Sequence, residues 1–305
     1  MQNLLLGEYI KQRRLDLGIT QEQLCAGICE PMTLSRLENG RQTPHRNRIN
    51  AILQRLGLPD DRYFALLSKR ELEMEALKKE VVACNANHLV AEGFDALKKL
   101  RRIADPEDPL AQQFILRSEV LLGRLDGRYS PQRQLELLMQ AIRLTVPRFR
   151  LDTIEQFLYS TDEAKIINQI GIAYSDAGQN ETAASLYDQL LRYVRTHFQE
   201  SVTSVNILPM IFFNYARVLD LCGRYAEGAA LAVEGRKSCL KYGHYQYLPD
   251  CLAIEAECNH FLGNDKKSAD LYRKCYYLCQ VIEYPAGLQF VTKEAKEYLG
   301  ITFDD

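Results

Sequence analysis

The stretch GITQEQL at residues 18–24, continued by SRLENG at residues 35–40, decides the fold of the N-terminal part of the chain. Thr20 belongs to the residue types that cap a helix by accepting a hydrogen bond from the backbone of its first turn. Leu24 and Ile28 fall four residues apart, which places both on one face of a helix. The stretch therefore predicts a short amphipathic helix that begins after Thr20.

A second short helix is predicted from about Met32 to Asn39. Leu34 and Leu37 have the spacing that faces a core, and Gly40 can adopt the left-handed conformation that ends a helix. Gly27 permits a tight turn between the two helices. Two short helices joined in this way form a helix-turn-helix.

The wording of these two stretches closely resembles the Cro/C1/Xre family of DNA-binding domains. The turn from Gly27 to Pro31 is one residue shorter than in the commonest form of that family. This shorter form resembles the head of the PlcR-like and Rgg-like regulators, which are peptide-sensing transcription factors of Gram-positive bacteria. The resemblance implies that residues 1–67 are a DNA-binding head of five short helices.

The remaining helices of the predicted head lie at residues 5–17, 49–56 and 59–67. In the first of them, Lys11, Arg13 and Arg14 stand between the apolar positions and predict a basic face. After the head, the densely charged residues 68–80 predict a solvated linking helix.

Charge is distributed unevenly along the chain. Residues 1–70 carry 11 Lys/Arg against 7 Asp/Glu, whereas the residues after them carry 27 against 33. A basic head on an acidic body fits a small nucleic-acid-binding domain on a body that does not touch the phosphate backbone. With 305 residues, 47% of them hydrophobic, the chain can bury a sizeable core and is expected to hold two domains, or one domain and a repeat array.

Cysteine usage favours a reducing compartment. The nine cysteines include no Cys-x-x-Cys pair, and no signal peptide precedes the first helix, so we expect reduced thiols in the cytoplasm. A metal site at Cys251, Cys258 and His260, or at Cys275 and Cys279, is conceivable, but helical cysteines more often serve as small buried hydrophobes. No apolar run approaches the ~20 residues that cross a bilayer, so no membrane segment is expected. No cofactor is expected either.

From residue 81 onward, helical patterns recur between turn signals without strand alternation, so the fold class is predicted to be all-α. One unit resembles the tetratricopeptide pattern at its signature spacings, through Asn168, Gly171, Tyr174, Gly178, Ala183 and Tyr187. The frame returns 45 residues later at residues 214–228, and 40 residues after that at residues 256–272. These periods exceed the ~34 residues of the repeat, so longer helices or loops are predicted.

Further helical pairs are predicted on both sides of these units. Leu125–Tyr129 resembles the later turn at residues 223–225, so a divergent helical pair is predicted around it. Ala83–Ile103 would contribute the first pair. Pro285–Leu299 predicts a last helix, ended by Gly300. About five pairs would form a right-handed solenoid with a concave groove. By resemblance, residues 81–305 are a tetratricopeptide-like domain for peptide binding and dimerisation.

The candidates for DNA contact follow from the docking of a helix-turn-helix, whose second helix enters the major groove with its N-terminal part. The solvent-facing candidates there are Glu30, Met32, Thr33 and Arg36. By family resemblance, two residues hold phosphates or orient the helix, namely Gln21 and Ser35. Two more, Arg41 and Thr43, lie in the loop that touches the DNA backbone. The alternative for Arg36 is a salt bridge to a head-domain carboxylate such as Glu38.

The candidates for peptide contact follow from the tetratricopeptide resemblance, which places certain positions of each first helix on the concave wall. They are Asn168, Gln169 and Ile172, then Phe213, Asn214 and Arg217, then Ile254 and Glu257. An Asn amide can bind both the N–H and the C=O of an extended peptide, so Asn168 and Asn214 are the favoured clamps. The alternative for Asn214 is a hydrogen bond to a neighbouring helix.

No catalytic motif is recognisable in the sequence, and the five histidines are scattered, so an enzyme is not expected. The family resemblance implies a sequence-specific transcriptional regulator that binds a double-stranded DNA operator as a homodimer, with a short peptide in the groove changing the geometry of the dimer. Two alternatives stay open: the repeats bind another protein, or the whole chain is a scaffold that does not bind DNA.

Overall fold

The computed structural model describes residues 3–42, 49, 52–53, 55–56, 66–197, 202–243 and 245–303. The chain forms two compact units, Met1–Ala104 and Asp105–Asp305. Both units consist of helices, apart from one pair of short strands in the first, so the all-α fold class is confirmed. The domain boundaries predicted at residues 67 and 80 stay predictions, since compactness divides the chain at Ala104 instead.

The first unit begins with a strand and contains five described helices. The strands are β1 (Asn3–Leu5) and β2 (Leu66–Ser68), and the helices are α1 (Leu6–Asp16), α2 (Gln21–Cys25), α3 (Pro31–Glu38), α4 (Lys69–Ala86) and α5 (Val90–Ile103). The two strands pair antiparallel, with Leu4 opposite Leu67. The helix predicted to run to Leu67 is therefore wrong at its end, because the backbone there pairs with β1. Residues 57–65 lie outside the described parts.

The predicted helix-turn-helix forms, but α2 ends at Cys25, so Ile28 lies in the turn and not on the helix. The hydroxyl of Thr20 accepts a hydrogen bond from the N–H of Gln23 at 3.1 Å, and the Gln23 side chain accepts one from the N–H of Thr20 at 2.8 Å. This reciprocal cap starts α2, and Gly40, with φ of 68°, follows α3. The core contains the predicted Leu24, Leu34 and Leu37, with Ile28 half-buried beside them.

The predicted linking helix is longer than its charged segment. It continues as α4 to Ala86, because Leu77, Val81 and Cys84 extend one buried stripe past the predicted end at Glu80. Helix α5 packs against it. The two helices form a hairpin within the first unit.

The second unit is a series of helical pairs. The pairs are α6 (Pro109–Leu125) with α7 (Pro131–Arg143), α8 (Thr161–Asp176) with α9 (Asn180–His197), α10 (Val202–Leu221) with α11 (Tyr225–Tyr242), and α12 (Leu248–Phe261) with α13 (Asp265–Val281). Helix α14 (Pro285–Leu299) follows, and Gly300 ends it with φ of 66°. The predicted terminal helix is thus confirmed at both ends. Helices of 16 to 20 residues in the second and third pairs account for the long repeat period.

The second unit is arranged in two layers. Consecutive helices pack against each other, and in addition α8 contacts α10, α10 contacts α12, and α12 contacts α14. The first helices of successive pairs therefore lie side by side and form one wall, as in an α-solenoid. This wall carries the positions predicted for peptide contact.

Glycines allow the helices of a pair to approach each other closely. A Cβ on Gly171 would lie 2.7 Å from two carbons of the Tyr187 ring, and a Cβ on Gly123 would lie 2.3 Å from the Tyr129 ring. The hydroxyl of Tyr187 donates a hydrogen bond to the carbonyl of Asn168 at 2.8 Å. Each aromatic ring thus fills the space that its glycine leaves open.

The cysteines belong to the packing of the molecule. Cys251, Cys258, Cys275 and Cys279 are all buried with free thiols. Among the described residues, no group of His, Cys, Asp and Glu side chains is arranged to hold a metal ion. No described helix is long and apolar enough to cross a membrane.

Replacing Gly171 by valine should lower the free energy of unfolding of the second unit by about 1–3 kcal/mol, the usual effect of overpacking an interior. The Tyr187 ring is fully buried and cannot move aside. Urea denaturation followed by circular dichroism measures the change. Thr182→Ala, at an exposed position of the partner helix, is the control and should shift stability by less than about 0.5 kcal/mol. Equal midpoints for both variants would contradict the packing argument.

Candidate functional site

Helix α3 presents an exposed face opposite its buried one. Met32 is 64% exposed, Arg36 is exposed, and Thr33 is half-buried, while Leu34 and Leu37 point into the core. Glu30 stands exposed before the helix and makes no side-chain cap. The predicted DNA-reading positions of the helix are therefore accessible at its N-terminal part.

A buried ion pair fixes the orientation of α3. Arg14 of α1 donates hydrogen bonds to both carboxylate oxygens of Glu38, at 2.6 and 3.0 Å, and a third to the carbonyl of Ile19 at 2.9 Å. The amide of Gln21 donates a fourth bond, to Glu38 Oε2 at 2.7 Å. Arg14 is therefore a core residue and not part of the predicted basic face. Gln21 orients the helix through Glu38.

The same ion pair shows whether Arg36 can form a salt bridge to Glu38. Both oxygens of the Glu38 carboxylate are bound on the far side of α3, and no ion pair joins Arg36 to Glu38. The alternative for Arg36, a salt bridge to Glu38, is therefore not formed, because residues two apart on a helix point to different faces.

The other predicted DNA contacts lie around the end of α3. Ser35 is half-buried, and its carbonyl accepts a hydrogen bond from the side chain of Asn39 at 2.7 Å. Arg41 is exposed just after the helix. Thr43 lies outside the described residues.

In the second unit, the two predicted clamp residues are bound to each other. The Nδ2 atom of Asn214 donates to Oδ1 of Asn168 at 3.1 Å and to the carbonyl of Met210 at 2.9 Å. Both side chains are more than nine-tenths buried. The alternative expected for Asn214, a bond to a neighbouring helix, is thus what the structure contains. No hydrogen bond within the described parts of the chain occupies Nδ2 of Asn168 or Oδ1 of Asn214.

Gln169 differs from its neighbour Asn168. Its side chain is 6% exposed, yet neither Nε2 nor Oε1 has a hydrogen-bond partner. On α6, the Nε atom of Arg117 is likewise buried without a partner. Burial lowers the pKa of the Arg117 guanidinium, and the nearby charges of Asp162 and Tyr247 offset this only in part. The wall therefore contains polar groups that no described residue binds.

Aromatic and ionic contacts surround these groups. Phe213 is half-buried and stacks on Tyr247, with ring centroids 6.4 Å apart. Arg217 approaches Asp176 at 4.0 Å, and Arg124 binds the same carboxylate at 2.8 Å.

The last two predicted groove residues have different roles. Ile254 is 4% exposed and packs with Ala216, Ala232 and Cys258. Its assignment to the groove wall is corrected, because its side chain fills the core between helices. Glu257 is half-buried and accepts a hydrogen bond from the Tyr298 hydroxyl at 2.8 Å. Ile172, from the first predicted group, is half-buried.

Carboxylates gather at the C-terminal end of the wall. Burial, followed by the charge of Glu257, raises the pKa of Asp220 to about 6. Burial, with the charges of Glu257 and Asp220, raises the pKa of Glu294 to about 8. Burial and mutual repulsion therefore favour the protonated forms of both carboxylates, more strongly for Glu294. Burial alone raises the pKa of Asp250 to about 6.

Sequence reasoning did not identify Arg117, Tyr247 or Asp250. Helix α6 departs from the tetratricopeptide pattern, and Tyr247 and Asp250 lie at the junction before α12, which the pattern does not cover. One signal was present for Arg117: it stands ten residues before Gly127, and Asn168 stands ten residues before Gly178. Both glycines end their turns with positive φ.

The N-terminal part of the chain matches a known domain family. Residues 5–63 match the helix-turn-helix domain family. No curated protein sequence matches the chain.

Solved structures share the fold over nearly the whole chain. Bacillus thuringiensis PlcR, in complex with a peptide and DNA, is 20% identical with a TM-score of 0.70, and covers 94% of this chain and 98% of its own. ComR from S. thermophilus, in complex with DNA and its signalling peptide, is 17% identical with a TM-score of 0.58, covering 97% and 100%. The Streptococcus dysgalactiae SHP pheromone receptor Rgg2 is 12% identical with a TM-score of 0.56, covering 96% and 99%. The predicted resemblance in fold to PlcR-like and Rgg-like regulators is confirmed.

Replacing Arg14 by methionine should destabilise the helix-turn-helix by about 3–5 kcal/mol, because Glu38 would keep a buried charge without its cation. Hydrogen exchange of residues 6–40 in the intact chain, resolved by mass spectrometry, measures the loss. Arg36→Met removes the same charge from the exposed face of α3 and should leave exchange unchanged. Similar protection in the two variants would show that the buried pair is not a structural requirement.

Proposed function

We propose that the chain is a sequence-specific DNA-binding transcriptional regulator whose helical body binds a short peptide. The observation that carries the proposal is the combination of an exposed reading face on α3 with a solenoid wall that holds unbound, buried polar groups. PlcR and ComR, which share the fold, have each been solved with both a peptide and DNA. A regulator of this kind acts in the cytoplasm and catalyses no reaction.

Reading of DNA is assigned to the exposed residues of α3. Thr33 and Arg36 face the major groove, with Met32 and Glu30 beside them, and an arginine in this position binds guanine through two hydrogen bonds. Ser35 and Arg41 lie close to the backbone of the DNA. Gln21 contributes through the position of α3, since its amide already donates to Glu38.

Peptide binding is assigned to the wall formed by α6, α8, α10 and α12. The Asn168–Asn214 pair offers one free donor and one free acceptor, which match the C=O and N–H of an extended backbone. The two amides would therefore act as one clamp, in place of two independent ones. Phe213, beside Tyr247, offers an apolar contact for a side chain of the ligand.

A homodimer completes the proposal, because one helix-turn-helix reads few bases and two copies can read a two-fold operator. We expect peptide binding to shift the balance between two arrangements of the dimer and so change operator affinity. Light scattering should give twice the chain mass at tens of micromolar. Repeats that bind another protein instead of a peptide remain the second candidate.

Arg36→Ala should weaken operator binding by about 1–3 kcal/mol without lowering the melting temperature, since the side chain is exposed. Duplexes tiled across the region upstream of the chain's own gene serve as probes in fluorescence anisotropy at several salt concentrations. Arg150→Ala, exposed in the body and bonded to Asp152, is the matched control. Wild-type protein that binds no duplex in a salt-dependent way would refute the DNA-binding role.

Asn214→Ala should lower peptide affinity about tenfold or more and leave basal DNA binding intact, because polar groups of the peptide lose a partner. The loss of the bond to Asn168 should also lower the stability of the body. Isothermal titration uses peptides encoded by short reading frames beside the gene. Asn264→Ala removes an exposed amide that makes no hydrogen bond to the first turn of α13, and this variant should bind as the wild type does. Equal affinity for wild type and Asn214→Ala would place the ligand elsewhere.

A further inference from the structure

Two side chains of the solenoid wall are left without partners on neighbouring helices. Gln169 of α8 is more than nine-tenths buried, and both polar atoms of its amide are unbound. Arg117 of α6 has a buried, unbound Nε and no ion pair with a carboxylate among the described residues. Each of these features lowers the stability of the body, because buried polar groups lose their bonds to water.

The positions of Arg117 and Gln169 are related by the register of their two helices. Arg124 of α6 and Asp176 of α8 form a 2.8 Å ion pair, which fixes the register between the two helices. Arg117 and Gln169 each stand seven residues before their counterpart in that pair. Seven residues are two helical turns, so Arg117 and Gln169 lie on the same facing surfaces as the ion pair.

The surroundings select the kind of group that fits between them. The guanidinium of Arg117 offers several N–H donors in one plane, and the amide of Gln169 offers donors and an acceptor. Asp250, Asp162 and the hydroxyl of Tyr247 stand near the same space and oppose a doubly charged phosphate. A singly charged carboxylate binds a guanidinium through two hydrogen bonds with less repulsion. The Phe213–Tyr247 stack beside it suits an adjoining apolar side chain.

We propose that Arg117 and Gln169 form a subsite that binds a carboxylate of the peptide ligand. The carboxylate belongs either to the C-terminus of the peptide or to an Asp or Glu side chain. This inference rests on the proposed peptide-binding function and names the chemical group that one end of the site recognises. Asn168 and Asn214 hold the peptide backbone, whereas Arg117 and Gln169 select its charge.

The stability of the free protein provides the first test. Arg117→Met removes a half-buried cation that has no ion pair among the described residues, so its melting temperature without peptide should equal or exceed that of the wild type. A structural arginine would give the opposite sign. Arg133→Met, which removes an exposed arginine bonded to Glu136 on α7, is the control. A clear fall in melting temperature for Arg117→Met alone would show that Arg117 supports the fold.

Binding to a peptide library provides the second test. Random heptapeptides are synthesised with a free C-terminal carboxylate or a C-terminal amide, each with and without Asp and Glu, and retention on the immobilised full chain is read by mass spectrometry. Preference of about tenfold or more for the free-acid form identifies the C-terminus. Retention of amidated peptides only when they contain Asp or Glu identifies a side chain. Arg117→Met should abolish either preference, and Arg117→Lys should keep part of it.

The outcomes separate this inference from the proposed function. If wild type and Arg117→Met retain the same peptides equally, or if retention does not depend on a carboxylate, the subsite is wrong and peptide binding stands. If the wild type retains no peptide from any library, peptide sensing fails and the subsite fails with it. Arg133→Met should match the wild type in every arm.

Discussion

The helical body depends on the contact between the Tyr187 ring and the bare backbone of Gly171. This contact sets how closely α8 and α9 approach each other, and the bond from the Tyr187 hydroxyl to the Asn168 carbonyl fixes their register. The same ring stacks on Tyr215 of α10, with centroids 5.9 Å apart. Asn168 of α8 then bonds to Asn214 of α10. One aromatic side chain therefore ties the geometry within a pair to the geometry between pairs, and so positions the wall.

Buried polar groups in this chain fall into two kinds, which differ in what binds them. Glu38 in the first unit is bound by Arg14, and Glu255 in the second is bound by Arg236 at 2.9 Å. Such groups are satisfied within the chain and hold elements in register. The amide of Gln169 and the Nε atom of Arg117 are buried without a hydrogen-bond partner among the described residues. Because an unbound buried group lowers stability without holding anything in place, its presence indicates a ligand more strongly than a paired group does.

The sequence predicts what is encoded locally and misses what arises from distant pairing. The cap at Thr20, the end at Gly40 and the last helix depend on a few neighbouring residues, and they were predicted correctly. The strand pair joins residues some 60 positions apart, so its helix-like local pattern at Leu66 and Leu67 was misleading. For the same reason, the local sequence did not show that Arg14 points into the core and not to the basic face of α1, since its partner Glu38 is distant in the chain. At the site, spacing predicted the wall positions of Gln169 and Phe213, but not which amides are already bound.

The order of charge along the wall gives a direction to an extended ligand. Arg117 provides the cation at the first pair, the Asn168–Asn214 amides follow, and Asp220 and Glu257 provide carboxylates toward the last helices. Burial raises the pKa of Glu294 and so favours its protonated form, which lowers the negative charge at that end of the wall. A peptide bound as proposed, with its C-terminal carboxylate at Arg117, would place its amino-terminal half toward the acids, where a positive charge is favoured. The opposite direction would bring the C-terminal carboxylate of the peptide to Asp220 and Glu257, and repulsion between these like charges disfavours it.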